Sequence, residues 1–268
     1  MSELTFAAVQ SGHDVVTFMT TLALCSERLM VMMLIFPPTA EGVITGRLRT
    51  ALAMVWSSFI AYGQQGAMTK LSGLFLVGVG LKEALIGVAL GFAASTVFWA
   101  AESVGTYVDD LTGYNQVQLS NPSQGQQTTL TSTLLSQFAI CAFWMLGGMT
   151  FLLGAVYESY RWWPIDNLTP ISGQVIEGFV LQKTDSLMQM VAKLATPMML
   201  LLLLVDIGFG LTGKVSQKLN LSSMGQPVKG ALTVLMLALL TGVFIDQVRD
   251  QLSLSNISAE AHKLSVAK

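Results

Sequence analysis

The residues that most often carry chemistry are scarce in this sequence. Its 268 residues include only two histidines and two cysteines. His13 and His262 both fall in polar ends, where solvated positions are the plain reading. There is no Walker loop, no HExxH pair and no nucleophile elbow, which removes the motif-based nucleotidase, metalloprotease and hydrolase readings. An enzyme is not expected, and neither is a metal or other cofactor. Cys25 and Cys141 lie inside apolar segments and match no metal-ligand spacing, so they read as packing residues rather than a disulfide. Charge is scarce too. Charged residues make up 11% of the chain and the net charge is -2, against roughly 25% charged in an average soluble domain. Nothing in that balance points to a nucleic-acid partner. The N-terminus, MSELTFAAVQSGHD, has no basic run and does not read as a cleavable signal peptide.

What is abundant is apolar sequence. Hydrophobic residues account for 52% of the chain, and mean hydropathy is +0.60. The expectation is an all-α, polytopic membrane-type protein. Apolar segments run over about 15–36, 50–62, 71–101, 129–157, 187–211 and 228–248. The first is long enough to cross a bilayer and ends at Pro37-Pro38, because proline lacks an N–H and restricts the residue before it. The second is short for a span. The third is too long: at about 1.5 Å per residue it measures roughly 46 Å against an apolar core of about 30 Å. It must tilt, break or leave the membrane. Gly87 and Gly91 form a GxxxG pair continued by Ser95, a spacing that lets helices approach closely. The fourth segment is also overlong and contains Gly147-Gly148. Tyr160 to Pro164 is an aromatic and basic cluster of interfacial character. The tail after Asp250 is polar.

Ionisable residues interrupt these segments: Glu27 and Arg28, Lys82 and Glu83, Lys193 and Asp206. Each would cost about 2.5–3.5 kcal/mol at the centre of a lipid-facing helix. They should therefore face protein or water and pair, with Arg28 directed to Asp206 or Glu83. Two readings stay open, structural ion pairs that fix helix register and an ion or proton pathway. Basic residues do not choose an orientation. With six spans and the N-terminus outside, inner loops carry Arg47, Arg49, Lys214, Lys218 and Lys229, and outer parts carry Lys70, Arg161, Lys183, Arg249, Lys263 and Lys268. Overlong helices, mid-span charges and absent bias together fit a chain packed among other subunits rather than standing in lipid.

One polar stretch separates the third and fourth segments: Asp109 to Gln127, DDLTGYNQVQLSNPSQGQQ, without a single Lys or Arg. Connections longer than about 12–15 residues are commonly functional or disordered. Two readings apply, a functional loop at the mouth or lumen of a helical assembly and a solvated loop without a role. Gly113, Gly125 and Pro122 supply backbone freedom or bends, and the amide and hydroxyl side chains suit a wet environment.

The run KEALIGVALGF (Lys82 to Phe92), then FWAAESVGTYVDDLTG (Phe98 to Gly113), then Asn121-Pro122, resembles the SctT/FliR family of the type III secretion export apparatus. Supporting matches are Arg28, Phe36-Pro37, Arg49, TPMMLLLLLVDIGFGL (Thr196 to Leu211), QKLN (Gln217 to Asn220) and Lys229. The similarity spans about Val15 to Val248 and is closer to the injectisome branch. Asp206 stands where a glutamate is commoner and Ser216 where a proline is usual, and the stretch just after Asn220 lacks the usual aromatic.

The resemblance implies a single export-gate domain over 1–268, made of long, partly broken helical hairpins. It would pack with SctR-like and SctS-like subunits, one copy of this chain closing a helical ring at the bacterial inner membrane, with part reaching into the periplasm. Further implied partners are SctU-like, SctV-like and inner-rod or needle proteins, membrane lipid, and the unfolded polypeptides being exported. The 109–127 loop would act as a plug, with Asp109, Asp110, Gly113, Tyr114, Asn115, Gln116, Asn121, Pro122 and Gly125 as its gating residues. The competing readings are a secondary transporter whose Lys82, Glu83, Lys193 and Asp206 line a midplane site, and a membrane scaffold with no conducting role. No internal repeat supports the transporter.

Overall fold

The structure, a computed structural model, describes residues 2–64, 73–114, 118–121, 126–166, 173–215 and 222–252. Within these lie the helices α1 (Ser2–Ile35), α2 (Gly46–Gly63), α3 (Leu74–Thr112), α4 (Leu130–Met145), α5 (Gly148–Trp162), α6 (Gly173–Val215) and α7 (Ser222–Leu252). The all-α membrane-type fold is as the composition implies. One short exception exists, an antiparallel ribbon of β1 (Gln118–Asn121) and β2 (Gln126–Thr129), paired from Gln118 with Thr129 to Asn121 with Gln126. Among the described residues three helices are long and apolar enough to cross a membrane, over Asp14–Ile35, Phe75–Thr112 and Glu177–Lys214, or four if α4 and α5 make one broken span. That is fewer than the six spans used above to count basic residues. The apolar part of α7, Gly225–Leu239, is too short to cross by itself, and α2 is an 18-residue helix that does not meet the same test.

The chain divides into two compact units, one of residues 1–95 and 150–180, the other of 96–149 and 181–253. In the first, α1 stops at Pro37-Pro38, which cannot supply amide hydrogens to its last carbonyls. The Thr39 hydroxyl stands in for them, 2.7 Å from Met33 O and 3.0 Å from Phe36 O. Arg49 at the start of α2 reaches Thr39 O at 3.3 Å and closes the corner. The small-residue stripe on α3 packs against α1. A Cβ on Gly87 would lie 2.5 Å from Arg28 O, and one on Gly91 3.0 Å from Met32 O. Ser95 completes the stripe by reaching Ile35 O at 3.3 Å. Buried apolar residues around this contact include Leu29, Met32, Met33, Phe36 and Ile86.

In the second unit the break between α4 and α5 falls at Gly147, whose φ of 69° lies in the left-handed region that favours glycine. Phe143 fills the core beside it, edge-on to Phe98 with ring centroids 5.9 Å apart. α3 has 39 residues and α6 has 43 with Pro197 inside. At about 1.5 Å per residue each has a contour well beyond a bilayer core of about 30 Å.

Gly87 is the tightest α1–α3 approach with backbone on the far side, so a side chain there can be relieved only by moving a helix. Gly87→Val should destabilise the protein by at least about 1–3 kcal/mol, lowering its melting midpoint in detergent by several degrees. Gly178→Ala, where nothing lies within 4 Å, should leave the midpoint unchanged or slightly raised. Equal midpoints for both variants would contradict this packing.

Candidate functional site

Two clasps hold the described structure together, one in each unit. In the first, Arg28 and Glu83 form an ion pair at 2.7 Å with both side chains fully buried. Burying two charges costs several kcal/mol per ion unless each is fully engaged, and here the engagement is nearly complete. Arg28 also donates to Ser159 Oγ at 2.6 Å and to Trp163 O at 3.0 Å. Its guanidinium lies 3.8 Å from the centroid of the Tyr160 ring, a cation–π contact strengthened by desolvation. Tyr160 in turn donates to Cys25 O at 2.7 Å. Lys82 bridges to Glu83 Oε1 at 3.1 Å and donates to Pro164 O at 2.6 Å. The carbonyls just past α5 thus receive two cations, the charge that a helix C-terminus favours. The network ties α1, α3 and α5 at one point, one turn from Gly87 on α3.

The second clasp frames the ribbon. Asp109, fully buried in the last turns of α3, accepts from Thr131 N at 2.7 Å, Thr131 Oγ1 at 2.5 Å and Ser132 N at 3.4 Å. These are the second and third amides of α4, which no intrahelical carbonyl can satisfy. Thr129 is the N-cap but makes no side-chain cap bond. A carboxylate from another helix therefore does the capping, with favourable charge for a helix N-terminus. Gly105, one turn before Asp109 on the same face, makes the approach possible, because a Cβ there would run into the Ser132 backbone. α3 then ends at Gly113, with φ 81°. Lys229 of α7 donates to Leu111 O at 2.9 Å and pairs with Asp206 of α6.

Several expectations need correction. Asp109 and Asp110 belong to α3, not to a loop, and Asp109 is a buried cap. Asn121 is in β1, so the polar run is partly helix and partly ribbon rather than loop throughout. Asn115, Gln116, Pro122 and Gly125 lie outside the described residues. Gly113 and Tyr114 mark where α3 ends, as a loop root should. Of the six charges expected to be buried, Arg28, Lys82 and Glu83 are. Glu27 is half-buried near Gly80, and Lys193 and Asp206 are exposed within this chain. The last two lie on the stretch of α6 where Leu200, Leu203, Leu204 and Ile207 are exposed as well. Of the two partners considered for Arg28, Glu83 is the one found, and Asp206 pairs with Lys229. Cys25 is buried, but Cys141 is exposed. Ser159, Gly105 and Thr131 were not singled out from sequence, and Tyr160, expected in an interfacial cluster, is buried against Arg28 instead. A glycine four residues before an aspartate on a helix entering a polar run was the one available signal. Among the described residues no cluster of His, Cys, Asp or Glu could hold a metal.

Long apolar helices, charges paired inside protein and a capped polar ribbon define a multi-pass helical membrane protein. The chain matches the bacterial export proteins, family 1, over residues 19–255, and it belongs to that family. It is 28% identical to the Yop proteins translocation protein T of Yersinia pestis, over 82% of this chain and 85% of that one. It is 26% identical to the secretion system apparatus protein SsaT of Salmonella typhimurium, over 84% of this chain and 88% of that one. The flagellar biosynthetic protein FliR of Bacillus subtilis is 26% identical over 65% of this chain and 68% of its own. The family is thus the SctT/FliR family that the sequence resembles.

Glu83→Gln would leave Arg28 as a buried, unpaired charge. It should cost about 3–5 kcal/mol, read as a lowered unfolding midpoint in detergent. Arg28→Met combined with Glu83→Leu removes both charges and should cost less than Glu83→Gln alone. A double variant at least as unstable as the single would contradict the ion-pair account.

Proposed function

We propose that this chain is a non-enzymatic subunit of a type III secretion export apparatus in the bacterial inner membrane. It forms, with SctR-like and SctS-like subunits, the gate through which unfolded polypeptides leave. SctU-like, SctV-like and inner-rod or needle proteins are neighbours in this reading. Family membership supports the secretion system. The observation that carries the finer reading is the ribbon between α3 and α4, whose root is fastened by Asp109 to the first turn of α4.

An export gate must hold back ions and still let an extended chain pass. A polar element without an apolar core of its own can be displaced at little cost, provided its base is fixed. Asp109 and Gly105 fix one end of it, because α4 cannot leave α3 without exposing a carboxylate and two amide hydrogens to an apolar surrounding. The amide- and hydroxyl-rich sequence of 113–127 offers hydrogen bonds to any backbone and selects no one substrate. Part of the assembly reaching into the periplasm accounts for helices longer than a bilayer. The exposed leucines of α6 then meet other subunits or lipid tails.

Deleting residues 113–126 should leave the chain in its assembly but make the gate leak. The measurement is membrane conductance, together with secretion, in cells carrying the otherwise complete apparatus. Raised conductance at unchanged assembly is the expected result. Unaltered conductance and secretion would make the segment a spacer and remove the plug reading.

A further inference from the structure

Two of the ion pairs among the described residues differ in one physical respect. Arg28–Glu83 is sealed, with neither side chain exposed. Lys229–Asp206 is half wet, its side chains 12% and 48% exposed. It also borders a cavity of about 240 Å³ lined by Asp206, Phe209, Gly210, Gly225, Gln226 and Lys229. A liquid water takes about 30 Å³, so several fit beside the pair. A sealed pair is costly to open because each partner would be left without solvent. A hydrated pair opens readily, because water replaces each partner as it leaves.

What the wet pair touches makes this difference consequential. Lys229 donates to Leu111 O at 2.9 Å, one of the last carbonyls of α3, which lack intrahelical donors. A cation is also the favourable charge at a helix C-terminus. Around it, α7 holds the next two residues of the chain. The Gln226 amide lies 2.9 Å from where a Gly113 Cβ would stand, and the Tyr114 ring rests on Gly230, whose own Cβ would collide with its hydroxyl. So Gln226, Lys229 and Gly230, one face of α7 at spacings of three and four, grip α3 where it hands over to the polar segment.

We propose that Lys229, paired with Asp206, is a positioning residue that latches the end of α3 to α7 and α6 and so keeps the gate closed. Release of this hydrated latch is the step that frees the ribbon's root on the α3 side, while the Asp109 clasp keeps its α4 side fixed. The proposal rests on the export-gate reading above and adds to it the element that controls opening.

The test is the conductance of the purified export complex in planar bilayers. Wild type is compared with the 113–126 deletion, Lys229→Met, Lys229→Arg and Asp206→Asn, with the amount of assembled complex measured for each. The expected result is a closed wild type, an open deletion, and an open probability raised at least tenfold by Lys229→Met at unchanged assembly. Lys229→Arg retains both contacts and should stay closed. If Lys229→Met lowers assembly, Asp206→Asn decides, since it removes the charge that holds Lys229 while leaving the lysine in place: an open channel supports the latch and a closed one overturns it. A deletion complex that stays closed removes the plug reading and the latch with it. An open deletion beside an assembled, closed Lys229→Met complex overturns the latch alone.

Discussion

Burial of the Arg28 guanidinium is the constraint on which the first unit depends. A charge without solvent must be met on every side, and its partners come from two other helices and the residue after one of them: Glu83 on α3, Ser159 and Tyr160 on α5, and the Trp163 carbonyl just beyond it. No one of these helices can shift without leaving a charge or a donor unmet. The energetic consequence is specificity of arrangement more than net stability, because the desolvation cost offsets much of the attraction. Gly87 serves the same constraint. By letting α1 lie against α3 at the Arg28 turn, it brings the two charges within reach. Apolar helices would pack in many registers, and this network favours one.

The second unit solves a different problem with similar parts. In the proposed gate its polar segment is held at its base and left unburdened elsewhere. Asp109 does the holding from one side, as a cap donated by a neighbouring helix to amides that the local sequence leaves open. Lys229 does so from the other, with a carbonyl of the helix end as its partner. Both are charges placed at the helix end of the matching polarity. One is dry and the other wet, the contrast on which the proposed distinction between a fixed seat and a releasable closure rests.

Much of the architecture was legible because its signals are local. Pro37-Pro38 ends α1, the excess length of the third segment becomes α3, and the Gly87-Gly91-Ser95 stripe becomes the α1 contact. Gly147 breaks the fourth apolar segment, which the length alone had flagged as too long for one span. The pairing of Arg28 with Glu83 was half legible, since the need for a partner is a matter of charge but its identity is a matter of packing. Asp109 was not legible as a cap. Composition groups it with the polar run that follows, and its real partner, Thr131, lies across the whole of that run. The ribbon left no trace either, because QLSN and QQTT carry no alternation of apolar and polar residues. Lys193 and Asp206 were misread for the opposite reason. An apolar helix implies burial, but whether protein, lipid or another subunit provides it lies outside one chain's sequence.

The account's central claim is that this chain works as one member of a mixed assembly, its exposed apolar helices covered by other subunits. Native mass spectrometry of the tagged protein, co-expressed with its chromosomal neighbours and extracted in mild detergent, tests that claim most directly. The account predicts a large hetero-oligomer with one copy of this chain and several copies of SctR-like and SctS-like subunits. A chain recovered as a monomer or homo-oligomer, retaining no partner, would contradict it.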